Sequence, residues 1–192
     1  ALVAGGTVTI GGWPASTTQV GDELLRILPQ LGATVTRDGD RVTVDGGAGV
    51  RGGRAVTAVD LDLTIGGELA PTIVTLLAFA DGVSTVDGIG HLLGHETDRL
   101  TALATEIGRL GGHVVEHDEG LEIHPAPLHG GAWEAYADHR MATSGALAGL
   151  AVADVTVDDI GTTSKTLPEF PELWARMLGR DATATHWETL AL

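Results

Sequence analysis

The stretch ADGVSTVDGIG, residues 80–90, reads as a helix end, a turn, a short strand rich in β-branched residues and a polar loop. The same pattern occurs in AGGTVTIGG, residues 4–12, and in ADVTVDDIG, residues 153–161. Self-similarity of this kind is typical of folds built from copies of one supersecondary unit, which pack together to bury a shared core. We therefore expect a fold that is built from repeated copies of one unit, each of which contains one such strand.

An amphipathic helix follows each of the first two strands. In residues 22–35, DELLRILPQLGATV, and in residues 98–115, DRLTALATEIGRLGGHVV, the apolar positions keep helical spacing. Both patterns end at a glycine, Gly32 and Gly111, as expected for a helix C-cap. Each then continues into a predicted hairpin, the first turning at Asp38-Gly39 and the second around 118–120.

Two further helices are predicted to be buried. Residues 68–80, ELAPTIVTLLAFA, and residues 140–153, RMATSGALAGLAVA, are apolar on nearly every side. Before the first of them, residues 57–65 alternate between apolar and polar, which predicts a half-buried strand. The unit is therefore strand, helix, strand, helix, strand, strand. We expect two nearly complete copies, packed around their apolar helices.

The composition excludes several classes of protein. The chain has 192 residues, 43% of them hydrophobic and 19% charged, which predicts a folded globular protein. It has no cysteine, so disulfides, thiolate zinc sites and cysteine nucleophiles are excluded. The net charge of −15 disfavours nucleic acid and anionic membranes as partners. No signal peptide or membrane span is apparent, which favours a cytoplasmic location.

Polar side chains collect at three predicted loop-to-helix junctions. These are GHETDRL, residues 94–100; YADHRMA, residues 136–142; and GTTSKTLPEF, residues 161–170. Each holds a cation, and the three cations are Arg99, Arg140 and Lys165, the last being the single lysine. Helix N-termini attract anions, so the junctions predict a ligand that carries phosphate and carboxylate groups.

Simpler structural interpretations of these junctions stay open. Thr97 and Asp138 can act as helix N-caps, and a helix dipole favours carboxylates such as Glu68 and Glu96 at a helix start. A third helix is expected to begin at Pro168. A metal site is disfavoured, because His91 and His95 lie in a glycine-rich loop without the His-Glu-x-x-His pattern.

The three junction motifs, in this order and spacing, resemble the C-terminal part of the 5-enolpyruvylshikimate-3-phosphate synthase (3-phosphoshikimate 1-carboxyvinyltransferase) family. The resemblance implies an inside-out α/β barrel of repeated βαβαββ units, here incomplete. It implies transfer of the carboxyvinyl group of phosphoenolpyruvate to the 5-hydroxyl of shikimate 3-phosphate, with release of phosphate and without a cofactor. This reaction belongs to the shikimate pathway of aromatic amino acid biosynthesis and is the target of glyphosate.

The same resemblance assigns roles to six residues. It implies that Glu68 is the base on the 5-hydroxyl and that Glu96 protonates the methylene of phosphoenolpyruvate. It implies that Arg99, Arg140 and Lys165 bind phosphoenolpyruvate. His95, where many members have lysine, is expected to touch the phosphate ester or the hydroxyls of shikimate 3-phosphate.

Residues 1–178 are expected to form a C-terminal enolpyruvyl transferase domain that lacks its first repeat and the N-terminal domain, with residues 179–192 as a tail. Ala1–Ala4 resembles the end of a helix, so we expect a fragment. We expect such a fragment to hold half of the active site, to be inactive alone and to need an N-terminal half as its partner. We also expect it to self-associate through the apolar edge that a truncated repeat exposes. UDP-N-acetylglucosamine enolpyruvyl transferase, which lacks the Asp-His-Arg triplet, and a non-catalytic anion-binding module are the alternatives.

Overall fold

The structure is a computed structural model that describes residues 1–90 and 97–180, together with the backbone of residues 190 and 191. The strands are β1 Thr7–Ile10, β2 Thr34–Asp38, β3 Arg41–Asp45, β4 Asp60–Asp62, β5 Ser84–Asp87, β6 His113–His117, β7 Gly120–His124, β8 Gly131–Trp133, β9 Val155–Val157 and β10 Leu190–Ala191. The α-helices are α1 Leu24–Gln30, α2 Ala70–Leu77, α3 Arg99–Arg109, α4 His139–Ala151 and α5 Phe170–Met177.

Each copy of the sequence repeat contributes one sheet. The middle sheet has the order β4-β5-β7-β6, with β4 and β5 parallel and the other pairs antiparallel. The first sheet has the order β1-β3-β2 and is antiparallel throughout. In the third sheet β8 and β9 run parallel, as β4 and β5 do, and β10 pairs antiparallel with β9. The repeat predicted from the sequence is therefore a repeat of structure.

The middle copy shows the whole unit in chain order, as β4, α2, β5, α3, β6 and β7. This confirms the βαβαββ pattern. Within the described residues, the first copy contributes β1, α1, β2 and β3, and the third contributes β8, α4, β9 and α5. One copy is thus complete in the described part of the chain, whereas the sequence had predicted two nearly complete copies.

The core lies among the helices, with the sheets outside them. Helices α2 and α4 pack against each other, and α3 contacts both. Ile73 and Leu77 of α2 and Met141 of α4 are completely buried, whereas every residue of β1 is exposed. The inside-out α/β arrangement is confirmed. At Gly145 of α4 an added Cβ would lie 2.5 Å from the Trp133 ring, so glycine permits the close approach of α4 to β8.

The helix ends follow the sequence with small corrections. Gly32 and Gly111 close α1 and α3 with φ of +97° and +91°, as predicted for C-caps. Asp98, not Thr97, caps α3, because its side chain accepts a hydrogen bond from the Thr101 amide at 3.1 Å. Helix α5 begins at Phe170 rather than at Pro168, and the proline in its first turn is Pro171.

Two strand boundaries also differ from the prediction. The first hairpin turns on Gly39 and Asp40, since Asp38 and Arg41 already form a strand pair. The alternating segment 57–65 gives a shorter strand, β4, whose central residue Leu61 is buried. Within the described part of the chain, no helix is both long and apolar enough to cross a membrane.

Candidate active site

The N-termini of three buried helices meet at one point. Glu68 lies in the 3-10 turn Gly67–Leu69 that leads directly into α2. Arg99 is the first residue of α3, and Arg140 is the second residue of α4. The Glu68 carboxylate lies 2.6 Å from Arg140 Nε and 3.6 Å from Arg99 Nη1. Two of the three predicted junction cations, Arg99 and Arg140, therefore meet, and the third helix start at this point is that of Glu68 rather than the junction of Lys165.

Asp138 binds the side chain of Arg99 and the backbone of Arg140. The Arg99 side chain is 2% exposed and the Asp138 side chain is fully buried, and Arg99 Nε donates to Asp138 Oδ2 at 2.7 Å. The other carboxylate oxygen of Asp138 accepts the backbone N–H of Arg140, also at 2.7 Å. One carboxylate thus caps α4 and holds the guanidinium at the start of α3.

The charge of Asp138 is stabilised by these contacts. Burial raises the pKa of its carboxyl, but the hydrogen bonds from the Arg99 side chain and the Arg140 amide, together with the positive charge nearby, lower it by more. The pKa of Asp138 therefore lies below its ordinary value of 3.8. Asp138 is ionised at neutral pH, so it pairs with Arg99 as a full negative charge.

Two donor atoms at the site keep unused hydrogen-bonding capacity. Arg99 Nη1 and Arg140 Nε are buried, and within residues 1–90 and 97–180 neither has a hydrogen-bond acceptor. Both lie near Glu68, but its carboxylate is not in hydrogen-bond geometry with either N–H. An anionic oxygen placed between the two guanidinium groups could accept both hydrogen bonds.

The local charge balance limits what this cluster can do alone. The two arginines carry +2, and Glu68 with Asp138 carries −2, so these four side chains sum to zero. His139 adds no charge near neutral pH, because burial lowers its pKa below the ordinary value of 6.5. Further cationic attraction must come from the helix N-termini and from another cation such as Lys165.

The structure describes only one of the remaining predicted site residues, Lys165. Lys165 is exposed at the end of the 3-10 turn Ile160–Lys165, and this turn packs against α4. His91, His95 and Glu96 lie outside the described residues, so the roles expected of them stay predictions. Across the ranges 1–90 and 97–180, no three histidine or carboxylate side chains are grouped so as to hold a metal ion.

Sequence reasoning missed two features of the site. It took Asp138 as a cap and did not foresee its buried ion pair with Arg99, which joins residues 39 positions apart. It also passed over Glu106, whose side chain is fully buried. A signal for Glu106 was available, since it shares with Leu103 and Leu110 the apolar face of α3, where a carboxylate needs partners.

The fold resembles that of enolpyruvyl transferases of known structure. An EPSP synthase from Acinetobacter baumannii superposes with a TM-score of 0.78, at 22% identity over 92% of this chain and 42% of its own. The enolpyruvyl transferase NikO from Streptomyces tendae gives a TM-score of 0.62, at 21% identity over 81% of this chain and 34% of its own. These likenesses define an enolpyruvyl transferase-like fold.

Sequence comparison narrows this class to one family. The profile of EPSP synthase (3-phosphoshikimate 1-carboxyvinyltransferase) matches residues 1–174, so the chain belongs to the EPSP synthase family. The relative named 3-phosphoshikimate 1-carboxyvinyltransferase from Kocuria rhizophila is 54% identical over 94% of this chain and 39% of its own length. Its counterpart from Mycobacterium ulcerans is 52% identical over 93% of this chain and 40% of its own length.

The chain thus spans about two fifths of the length of these curated relatives. The family match favours EPSP synthase over the UDP-N-acetylglucosamine enolpyruvyl transferase alternative. The resemblance drawn from the three junction motifs is confirmed.

Proposed function

We propose that this chain supplies the phosphoenolpyruvate-binding half of an enzyme that transfers a carboxyvinyl group to the 5-hydroxyl of shikimate 3-phosphate and releases phosphate. The observation that carries the proposal is the pair of buried donors, Arg99 Nη1 and Arg140 Nε, facing one carboxylate at the meeting point of three helix N-termini. A charge-assisted hydrogen bond contributes roughly 1.5–3 kcal/mol, so two such bonds and Lys165 would hold a trianionic substrate.

In this proposal Glu68 works as the base. Its side chain is 39% exposed, so one side faces solvent while the other faces the two arginines. A carboxylate is ionised near neutral pH and can accept the proton of the 5-hydroxyl. As Glu68 turns to that hydroxyl, it leaves the arginines, and the site changes from neutral to cationic as phosphoenolpyruvate enters.

The bonds then change in two steps. In the first, the 5-oxygen attacks C2 of phosphoenolpyruvate, Glu68 takes the hydroxyl proton, and Glu96 protonates the C3 methylene to give a methyl group. In the second, a proton of that methyl group returns to Glu96, the C2–C3 double bond re-forms, the C2–O bond to phosphate breaks, and the proton held by Glu68 leaves with the phosphate. No redox change and no cofactor is involved.

A complete site requires more chain than residues 1–178. The proposed domain boundary, with residues 179–192 as a tail, is supported by a family match that ends at residue 174. The proposed N-terminal partner half is supported by coverage of about two fifths of the relatives. Substrate held on one side only cannot be shielded from water or oriented for attack. The isolated chain is therefore expected to be nearly inactive. The cytoplasmic location expected from the sequence stays a prediction.

The proposal is tested by measuring phosphate release from phosphoenolpyruvate and shikimate 3-phosphate. The chain is assayed alone, and again after mixing with the N-terminal half of the Kocuria rhizophila relative. Activity that depends on mixing and on both substrates supports the proposal. Binding of shikimate 3-phosphate without turnover, unchanged by Glu96→Gln, would instead support the non-catalytic anion-binding module.

A further inference from the structure

We propose that Glu106 and Tyr136 are positioning residues that hold Arg99 and Asp138 in the geometry that binds phosphoenolpyruvate. Glu106 lies about two helical turns after Arg99, and Tyr136 lies two residues before Asp138. Neither is among the residues proposed to bind substrate. The inference rests on the proposed function for its catalytic consequence, although its structural part is independent of that function.

Glu106 is a buried carboxylate with three donors. Its side chain is fully buried, and Oε1 accepts the Tyr136 hydroxyl at 2.6 Å and Arg109 Nη1 at 2.8 Å. Its Oε2 accepts the backbone N–H of Glu134 at 3.0 Å. Burying a carboxylate is costly unless such partners are present. Glu106 therefore ties helix α3 to the segment that follows β8.

That segment holds a strained backbone. Tyr136 and Ala137 have φ of 55° and 53°, in the left-handed region that residues other than glycine avoid. This conformation costs roughly 1–2 kcal/mol per residue, so the surroundings must impose it. The Tyr136 hydroxyl anchors one side of the turn on Glu106, and the Ala135 amide donates to Asp158 Oδ1 at 2.8 Å on the other.

The strained turn places Asp138 within hydrogen-bonding distance of Arg99. Asp138 follows directly after it, and the Asp138 amide closes the turn by donating to the Ala135 carbonyl at 2.8 Å. On α3, Glu106 lies seven residues after Arg99, which places both side chains on the same face of the helix. Two cross-links, Arg99–Asp138 and Glu106–Tyr136, thus join the same two elements about 10 Å apart along α3.

Loss of the second cross-link should loosen the first. Burial and the hydrogen bond to Glu106 raise the pKa of Tyr136 to about 12, so the hydroxyl stays a donor over the working pH range. Without that donor, the turn at 136 and 137 can relax toward negative φ and carry Asp138 away from Arg99 Nε. The guanidinium would then present its free N–H groups to phosphoenolpyruvate less precisely.

The test compares Tyr136→Phe with Thr85→Val. The control also removes one hydroxyl that donates to a carboxylate, Asp60 at 2.7 Å, but on the β4–β5 pair. Hydrogen exchange of the Arg99 Nε–H is measured by NMR in this chain. We expect exchange to accelerate at least about tenfold in Tyr136→Phe and to stay unchanged in Thr85→Val, since a factor of ten corresponds to about 1.4 kcal/mol of local opening. Unchanged exchange in Tyr136→Phe would overturn the inference.

A second comparison separates positioning from loss of folding. Glu106→Gln keeps an acceptor for the Tyr136 hydroxyl, whereas Glu106→Ala does not. Slow Arg99 Nε–H exchange retained in Glu106→Gln and lost in Glu106→Ala is the expected result, with melting curves showing that both variants are folded. Equal exchange in two folded variants would contradict the role of Glu106.

The catalytic consequence is measured in the chain mixed with its N-terminal half. Tyr136→Phe should raise KM for phosphoenolpyruvate about tenfold and leave KM for shikimate 3-phosphate within about twofold, because one weakened ionic hydrogen bond is worth about 1.4 kcal/mol. Absence of turnover in the unsubstituted chain would refute the proposed function, while the exchange data would still decide the positioning role. Turnover with unchanged KM in Tyr136→Phe would refute the positioning role alone.

Discussion

Arg99 Nε donates to Asp138 Oδ2 at 2.7 Å in a pair that is almost completely excluded from solvent, with side-chain exposures of 2% and 0%. The pair joins the first residue of α3 to the N-cap of α4. Because the Asp138 carboxylate also accepts the Arg140 amide, it holds the Arg99 guanidinium and caps the helix that carries Arg140. The stability of the fold and the proposed binding of phosphoenolpyruvate therefore both involve this carboxylate.

Replacement of Asp138 should be strongly destabilising. Asp138→Ala leaves the Arg99 guanidinium buried without its partner, and loss of one member of a buried ion pair costs about 3–5 kcal/mol. Urea unfolding of the chain and of the variant measures the difference. As a control, Asp118→Ala replaces an exposed carboxylate in the turn between β6 and β7. A loss below about 1 kcal/mol for Asp138→Ala would show that the pair contributes little.

Stability should depend on pH through His139. Its folded pKa is lowered by burial, and also by Arg140 and Arg99, while Asp138 and Glu68 act in the opposite direction. Between the folded pKa and the ordinary value of 6.5, the unfolded chain binds more protons than the folded chain. The contribution of His139 to the free energy of unfolding is therefore fully present above about pH 6.5, and it is lost as the pH falls from 6.5 through the folded pKa.

The measurement is urea unfolding at a series of pH values, with His139→Asn as the variant that cannot titrate. We expect the variant to lose the slope just below pH 6.5. A slope that is the same in both proteins would mean that another group is responsible, and the exposed His113 supplies the control variant His113→Asn.

Glu68→Gln should abolish turnover and keep binding. Removal of a general base slows catalysis about 10²–10⁴-fold, whereas loss of a negative charge beside two arginines should tighten phosphoenolpyruvate binding. Phosphate release and calorimetric binding in the assembled enzyme give the two quantities. Glu172→Gln, on the exposed side of α5, is the control. Retention of more than a tenth of the activity would exclude Glu68 as the base.

Lys165 should be needed for phosphoenolpyruvate rather than for folding. The four central side chains carry no net charge, so the site depends on an additional cation. Lys165→Met is expected to raise KM for phosphoenolpyruvate at least about tenfold, since a charge-assisted hydrogen bond contributes about 1.5–3 kcal/mol. The exposed Arg176→Met in α5 is the matched control. Equal effects of the two substitutions would place Lys165 away from the substrate.

The exposed strand β1 should promote self-association. It lies at the edge of its sheet, and Val8 and Ile10, which share one face, are 45% and 46% exposed. Edge strands with apolar side chains pair with other chains, and a charge on the strand prevents this. Sedimentation should show concentration-dependent association that decreases in Ile10→Lys. Monomers at all concentrations, for the unsubstituted chain, would contradict this prediction.

The sequence predicted the repeat, the helix faces and the three cations because each depends on local patterns. The alternation around Leu61 and the helical spacing of Leu100, Leu103 and Ile107 are visible within a single element. The convergence of Glu68 with Arg99 and Arg140 was inferred from the repeat and from the family resemblance. Local patterns could not show with which carboxylate each arginine forms an ion pair.

The Arg99–Asp138 and Glu106–Tyr136 pairs depend on tertiary packing between α3 and the segment after β8. A carboxylate before a helix looks the same in sequence whether it caps that helix alone or also binds a distant guanidinium. The left-handed φ of Tyr136 and Ala137 was equally hidden, because neither residue type favours it. Thr97 was preferred over Asp98 as cap for a related reason, since both are good N-caps and lie side by side.

Identification of the product is the most direct test of the proposed reaction. The chain is mixed with an N-terminal half, phosphoenolpyruvate and shikimate 3-phosphate, and the products are analysed by mass spectrometry. We expect shikimate 3-phosphate bearing one added carboxyvinyl group, together with an equal amount of phosphate, and both products formed at least about a hundredfold more slowly by the Glu68→Gln variant. Phosphate without the carboxyvinyl ether, or no product although both substrates bind, would contradict it.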